Sequence, residues 1–451
     1  MTVCPPCECL CFVTIIEPGR SSGGFGPGKA QGRLTGRDGE AEVKILVVHN
    51  AYQQRGGEDA VVGVETRLLE ANGHAVVRYE RHNDELQGRS ALGEIGAAVE
   101  AVWSSRSFRE VRELIGKERP DVAHFHNTFP LISPSAYYAC AQMGVPVVQT
   151  LHNYRLWCPA AKFLRDGKVC EACVGRSVAW PGVVHGCYRG SRAATAAAAA
   201  MLAVHRGMGS WQTKVDAYIA LSEFTRRKFI EGGLPAERIV VKPNFVAGDF
   251  AANTHPGGYV LFVGRLSEEK GPQLLLPAWR SMRTKTPLCI AGDGPLLEKL
   301  SREVRDSSLT QIELTGHRTP DEVRALMQGA RFLVFPSIWY EGFPMTIAEA
   351  FAGGLPVVAS RLGSMAEIVQ DGVTGLHFES GNAADLAAKV EWAWNHPEEL
   401  ARMGRAARAE YEAKYQPARN YEMLMDIYRG AMARRAQQGV VRAALVATPE
   451  N

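Results

Sequence analysis

Tyr259-Val260-Leu261-Phe262-Val263-Gly264-Arg265-Leu266-Ser267-Glu268-Glu269-Lys270-Gly271 is the stretch on which the fold class turns. It opens with five residues, Tyr259 to Val263, that show no polar alternation. A strand tolerates that only when both of its faces are covered. The glycine that ends the run leaves the backbone open to close approach. Arg265 and Lys270 then follow within one loop. Read locally this is either a solvated basic turn or an anion-binding edge at the carboxyl end of a parallel sheet.

The same pattern recurs outward. Downstream lie Leu288-Cys289-Ile290-Ala291-Gly292, Ile312-Glu313-Leu314-Thr315, Phe332-Leu333-Val334-Phe335 and Pro356-Val357-Val358-Ala359. Upstream, 44–50 reads as a first buried strand, with further strands at 75–79, 122–125, 146–151, 217–221 and 239–241 and a helix over 59–73. Strands alternating with amphipathic stretches predict α/β folding, parallel sheets with helices on both faces. We read two doubly wound domains, 43–250 and 256–415, joined by the hinge-like Asn253-Thr254-His255-Pro256-Gly257-Gly258. Ligands of such sheets bind at the carboxyl ends of the strands, so two facing domains enclose a cleft.

Composition narrows the classes. The 451 residues are 46% hydrophobic, ample for two cores, and 51 basic against 48 acidic side chains give a net charge of +3. That balance excludes a dedicated nucleic-acid binder, which carries a basic stripe. The longest apolar stretch, 193–204, falls short of the roughly 20 residues of a membrane span. No basic residue precedes Phe12-Val13-Thr14-Ile15-Ile16, so the N-terminus does not read as a signal peptide, and a cytoplasmic location follows. Residues 1–42, with Cys4, Cys7, Cys9, Cys11 and a Gly/Ser-rich run, form either a disordered extension or sequence upstream of a true start at Val43. Residues 43–246 hold 25 basic and 19 acidic side chains. This net +6 is plain surface composition or an attraction to an anionic membrane face, which would make the protein peripheral at the inner face of the membrane.

The second informative stretch is Tyr340-Glu341-Gly342-Phe343-Pro344-Met345-Thr346-Ile347-Ala348-Glu349-Ala350, which follows a strand and Pro336-Ser337. Met345 onward opens a helix, whose free N–H groups attract anions. Glu349, one turn in, suits a ribose diol; the alternative is that both glutamates are helix-cap carboxylates. In the first domain, Gln54-Arg55-Gly56-Gly57-Glu58-Asp59 is a glycine pair opening a helix, a turn and cap or a ligand loop. Val122-Ala123-His124-Phe125-His126-Asn127 ends a strand, and His126, nearer the end, is expected to reach the cleft.

Taken in order, Gly264-Arg265-Leu266…Lys270-Gly271, Ala291-Gly292-Asp293-Gly294-Pro295, Pro336-Ser337 and Glu341-Gly342-Phe343…Glu349-Ala350 resemble a GT-B-fold retaining glycosyltransferase of the large family 4 type, also called glycosyltransferase group 1. The resemblance covers about 44–430. It implies two Rossmann-like domains, with 416–435 a helix crossing back to the first domain and 436–451 a tail. It also implies a nucleotide diphosphate sugar as donor substrate, with Arg265 and Lys270 neutralising the diphosphate. Glu349 would hold the ribose, and Glu341 and His126 would act at the transferred sugar. Gly56 and Gly57 would approach the donor phosphates, and Phe343, Met345 and Thr346 would supply backbone contacts to the donor. Pro344 departs from the glycine of many relatives and has no N–H to offer. The acceptor so implied is a glycan or lipid-linked saccharide in cell-surface polysaccharide biosynthesis. No Asp-x-Asp occurs, so no catalytic metal is expected. Rival readings are another GT-B activity, an epimerase or phosphorylase, or a non-catalytic nucleotide-sugar-binding scaffold.

Within 155–190, Cys158, Cys170, Cys173 and Cys187 combine a C-x2-C pair with two more thiols. They are candidate ligands of a structural zinc, since four thiolates leave no open position for catalysis. Free or redox-labile cysteines are the alternative.

Overall fold

The computed structural model describes residues 42–53, 56–88, 91–248, 250–251, 257–307 and 309–447. Its first sheet holds six parallel strands: β1 Lys44–Ala51, β2 Ala75–His82, β3 Val122–Asn127, β4 Val147–Leu151, β5 Ala217–Ala220 and β6 Ile239–Val241. They lie in the order β2-β1-β3-β4-β5-β6. The second sheet, also parallel, holds β7 Tyr259–Val263, β8 Leu288–Ala291, β9 Ile312–Gly316, β10 Ala330–Phe335, β11 Val357–Ser360 and β12 Gly375–Phe378, in the order β9-β8-β7-β10-β11-β12. The chain reverses direction between β1 and β3 in one sheet and between β7 and β10 in the other. A crevice opens at such a point, outside the carboxyl ends of the strands. The loops after β1, β7 and β10 are those that carry Gly56-Gly57, Arg265–Lys270 and Glu341.

Both faces of the central strands are covered, as their unbroken apolar runs require. Leu46, Val48, Ala123 and Phe125 face one helical layer of the first domain, and Ile45, Val47, Val122, Val148 and Ile219 face the other. The second layer includes helix Pro417–Ala447, which follows the second domain in sequence yet buries Leu424, Met425, Ile427 and Tyr428 against the first sheet. Burial of the three aliphatic side chains contributes roughly 1.5–3 kcal/mol each as an upper estimate, making the helix a firm tie between domains.

Three differences from the sequence reading have physical causes. The tail expected from 436 is helical to Ala447, because Ala, Arg, Gln and Val continue without a proline and only Gly439 interrupts. Strand β12 escaped notice: Gly375-Leu376-His377-Phe378 is short, and its place is set by pairing with β11, where a Cβ on Gly375 would lie 2.0 Å from the Val357 carbonyl oxygen. The first-domain helix starts at Gly57, two residues early, with Asp59 reaching back to the Gly56 N–H. Residues 1–41 of the expected extension and the hinge residues Asn253 to Pro256 lie outside the described residues. Among the described residues no helix is long and apolar enough to cross a membrane.

Candidate active site

The second domain builds one wall of the cleft from three loops at the carboxyl end of its sheet. The loops after β7 and β8 are zipped together, Gly264 N donating to Ala291 O at 3.1 Å and Leu266 N to Asp293 O at 2.8 Å. The loop after β7 then folds back under β10. Gly271 adopts φ +72, and a Cβ there would stand 1.9 Å from the Pro336 carbonyl oxygen, so only glycine lets the two loops touch. This contact places Lys270 beside Glu341. Lys270 Nζ donates to both carboxylate oxygens of Glu341, at 2.7 and 3.0 Å, and Ser337 Oγ donates to one of them at 2.7 Å. Glu341 is buried, with a side chain 5% exposed against 27% for Lys270, so the ammonium is the part of the pair that faces the cleft. Arg265 is exposed at the same edge and has no ion-pair partner among the described residues.

Phe343, Met345 and Thr346 also line this wall. Helix Met345–Ala352 starts there under Pro344, and Ile347 N is the first of its amides to find a partner, Pro344 O at 3.0 Å. The N–H groups of Met345 and Thr346 are thus left for a ligand. Glu349 is half-buried one turn further in and is not among the side chains lining the cleft; burial raises its carboxyl pKa, with Arg324 opposing. Its expected contact with a ribose would have to be made at the rim.

The opposite wall comes from the first domain. Gly56 and Gly57 line the cleft at the mouth of helix Gly57–Ala71, and a Cβ on Gly57 would meet nothing within 4 Å. Packing does not require that glycine, and the space beside it is open. Glu58 follows, and Tyr52 OH donates to its Oε2 at 3.1 Å and Asn153 Nδ2 at 3.4 Å, while Oε1 is buried without a partner. Burial pushes this carboxyl up to about 7, with Asp59 adding to the push and His49 opposing it.

His126, expected at the cleft, stands behind it. It is 4% exposed and inside strand β3, whereas His152, the first residue past the end of β4, takes the cleft position. The two rings are in contact, His126 Nδ1 and His152 Nε2 lying 2.9 Å apart. Burial drives the His152 ring down to about 3 and the His126 ring well below its ordinary range, so both are neutral imidazoles at physiological pH. Behind them lies a buried polar cluster. Glu65 accepts from Lys242 Nζ at 3.0 Å and approaches His124 Nδ1 and His126 Nε2 at 3.2 and 3.6 Å. Lys242 also reaches Asn420 on the crossing helix at 2.9 Å. Burial opposes ionisation of Glu65, but the Lys242 ammonium prevails and holds its carboxyl below the usual range.

Sequence reasoning missed His152, Glu58 and Ser337. A signal was present for His152: it sits at a strand end in Leu151-His152-Asn153, the criterion applied to His126 one strand earlier. The walls enclose a cleft of about 870 Å³, large enough for a small-molecule ligand. A pair of glycines with open space, two cations and a set of unused helix N–H groups face one another across it. That constellation suits an anionic, phosphate-bearing ligand.

Comparison with known proteins bears on this cleft. A family model described as Glycosyltransferase Family 4 matches residues 56–249, and one described as Glycosyl transferases group 1 matches residues 250–410. A glycosyltransferase of Methanocaldococcus jannaschii, itself uncharacterised, is 35% identical over 178 residues, which are 40% of this chain and 49% of that protein. The glycogen synthase of Mycobacterium tuberculosis is 31% identical over 304 residues, 64% of each chain. The chain thus spans about half to two thirds of the length of these relatives. Among solved structures, Anabaena HepE in complex with UDP shares the fold with a TM-score of 0.60 at 18% identity, covering 85% of this chain and 98% of that one. With GT-B architecture in both domains and two family models matching consecutive halves, the chain belongs to the family 4, group 1, glycosyltransferases.

Proposed function

We propose that this protein is a retaining glycosyltransferase that moves a sugar from a nucleoside diphosphate donor to a glycan or lipid-linked saccharide acceptor. The observation that carries the reading is the Lys270–Glu341 pair at the mouth of a glycine-lined cleft. When the sugar–phosphate bond breaks, negative charge develops on the leaving diphosphate. A preorganised ammonium and guanidinium at Lys270 and Arg265 stabilise that charge without a bridging metal. Glu341 fixes the ammonium, and its own carboxylate is committed to Lys270 and Ser337. It is therefore poorly placed to act as a free base or nucleophile, which favours same-face substitution, with the leaving phosphate oxygen taking the acceptor proton. His152, neutral at the cleft wall, can hold a sugar hydroxyl without repelling or attracting charge. Acceptor binding falls to the first domain, where Glu58, which accepts from Asn153, lines the cleft opposite the donor side.

The glycogen synthase relative supports a growing glycan as acceptor, and the basic balance of the first domain supports a reaction at the cytoplasmic face of a membrane. A first test is a thermal-shift screen of purified protein with UDP, GDP, ADP and their sugar conjugates, without added metal. A ligand at 100 times its Kd adds about 2.7 kcal/mol, well within detection. Stabilisation by one base and its sugars, followed by a new glycoside in product analysis, establishes transfer; an epimerised donor with no glycoside would overturn it. Binding without turnover would point to a nucleotide-sugar-binding scaffold, and binding of none of them to an enzyme that takes its acceptor first or to a degenerate binding protein.

A further inference from the structure

The chain between His152 and Arg192 contains little regular structure. It has a hairpin of two-residue strands, Leu164–Arg165 with Lys168–Val169, and the five-residue helix Trp180–Val184. Two of its four cysteines, Cys173 and Cys187, nonetheless meet at one residue, Gly182, and a third, Cys158, precedes the proline that touches it. A Cβ built there would lie 3.5 Å from Cys173 Sγ and 3.2 Å from the ring of Pro159, the residue after Cys158. Cys187 N donates to the Gly182 carbonyl at 3.0 Å. Cys170 is tied to the hairpin by its N–H to Phe163 O at 2.8 Å, which brings it in beside Cys173. Cys158, Cys170 and Cys187 are each close enough to act electrostatically on the Cys173 thiol, and all four cysteines are free.

Two cations face the group. Arg206, on helix Arg192–Gly207, interacts with Cys173, and Arg165 with Cys187. Arg206 uses its terminal nitrogens on the carbonyls of Arg176 and Leu156, but its Nε is buried with no partner. A guanidinium N–H in that position lacks an acceptor while its neighbours are neutral thiols. Thiolates would supply one, and a doubly negative tetrathiolate site would be offset by the two arginines.

We infer that Cys158, Cys170, Cys173 and Cys187 bind a structural zinc ion that staples this insertion. Zinc–sulfur bonds of about 2.3 Å imply sulfur–sulfur edges of about 3.8 Å in a tetrahedron. The sulfurs stand wider than that. Among the described residues the one group of three ligand atoms within 4.8 Å of one another is Glu65, His124 and His126. Metal binding would have to draw the four sulfurs together around Cys173, which the other three thiols already influence. The Glu65 group, by contrast, is spoken for. Lys242 occupies its carboxylate, Tyr428 and Thr150 the ring nitrogens of His124, and His152 that of His126.

The staple has a position as well as a chemistry. The insertion leans on the donor-side loops of the second domain. Lys162 pairs with Glu269 at 3.1 Å, Phe163 packs edge-on against Tyr340, and Tyr154 OH reaches Glu341 O at 3.5 Å. A zinc ion would therefore fix the surface against which Lys270 and Glu341 are set, independently of which reaction the cleft performs.

The test uses the full chain, produced with zinc in the medium and purified without chelators or a histidine tag. Elemental analysis should find one zinc per chain. Cobalt(II) in its place should give near-ultraviolet sulfur-to-cobalt charge transfer and the visible bands of a tetrahedral ion. Cys170→Ser and Cys187→Ser should each lose the metal, whereas changing Cys4, Cys7, Cys9 and Cys11 together to serine should leave it in place. Should the insertion variants fail to fold, titration of wild-type thiols with an organomercurial still decides, since zinc release must track the modification of four thiols. Metal-free protein with freely reactive thiols, disulfides in the intact mass, or metal that follows the N-terminal cysteines would each overturn the inference.

Discussion

Replacing Lys270 by alanine tests the donor side of the cleft most directly. In the structure the Lys270 ammonium is held by both oxygens of Glu341, and Glu341 is buried behind it with one further partner, Ser337. A diphosphate entering the cleft meets the exposed side of that ammonium and gains one charge-assisted hydrogen bond. Such a bond contributes about 1.5–3 kcal/mol, roughly ten- to 150-fold in Kd. Alanine also strips the compensation from the Glu341 carboxylate, which then repels the incoming anion, so the loss is expected in the upper half of that range. Glu341→Gln tests the same geometry from the other side. It releases the ammonium from its intramolecular partner, so nucleoside diphosphate binding should hold or tighten while sugar transfer falls. Isothermal titration of the wild type, Lys270→Ala, Glu341→Gln and the double variant with the diphosphate that stabilises the wild type provides the assay. Unchanged affinity in Lys270→Ala would refute the clamp. So would equal weakening in both single variants with no further loss in the double, because the pair would then be a structural unit and not a ligand site.

Four further outcomes follow from the same walls. The Glu58 carboxyl, pushed by burial from the ordinary carboxylate range up to about 7, binds its proton more tightly in the folded than in the unfolded chain, so its ionisation destabilises the fold as pH rises through that window. Glu58→Gln should match the wild type near pH 4 and exceed it by roughly 1–3 kcal/mol at about pH 8 in urea unfolding, the half-exposed side of the carboxyl keeping the gain modest; equal stability at both pH values would refute the burial argument. Gly271→Ala should cost about 1–3 kcal/mol or more from its left-handed backbone and the contact with Pro336. Gly57→Val should melt within about 0.5 kcal/mol of the wild type yet lose nucleotide-sugar binding, and the opposite pattern would mean Gly57 serves packing. His152→Ala should abolish turnover while keeping diphosphate affinity, with His126→Ala less severe because it acts by orienting the His152 ring; the reverse ranking in a turnover assay would restore His126 to the cleft.

What could be read from the residues divides along a physical line. Tyr259 to Val263 and its counterparts are buried on both faces, so an unbroken apolar run was sufficient to place them. Arg265, Lys270 and Glu341 fit a solvated basic turn or a helix cap equally well on their own, and only the order of the glycine-flanked motifs at successive strand ends points them at the cleft. His152 and His126 differ by a choice of strand end that local pattern does not resolve. β4 stops at Leu151 and β3 runs on to Asn127, and that difference in length is set by pairing across the sheet. Glu349 reads as a ribose contact because helix Met345–Ala352 starts at the site; it lies one turn inside that helix, half-buried, and is not among the side chains that line the cleft. The Lys242–Glu65–Asn420 cluster joins residues 177 and 178 positions apart. Nothing in any one segment announces such a contact.

The same separation explains why the site and the domain arrangement are one structure. Gly342 lies so close to the first domain that a Cβ on it would stand 2.4 Å from the His152 carbonyl oxygen. Ser364 Oγ donates to Glu341 O at 2.9 Å and is hydrogen-bonded to Ser222 Oγ of the first domain at 2.8 Å. Glu367 accepts from Glu223 N and Phe224 N at 2.8 and 2.6 Å, supplying from the second domain the acidic partner that a helix start in the first domain favours. Each of these hydrogen bonds contributes on the order of 1 kcal/mol net, in addition to the Lys162–Glu269 pair and the Phe163–Tyr340 packing across the same interface. The Ser364 hydrogen bond and the close approach of His152 O fall on the backbone of Glu341 and Gly342, the residues that aim the carboxylate at Lys270. Separation of the domains would therefore release the loop that positions the clamp. A ligand that touches Gly57 on one wall and Lys270 on the other gains those contacts only in the closed state, and it shifts the population toward closure by that difference in affinity. A ligand that bridges the two walls would thus assemble the groups that act on it as it binds.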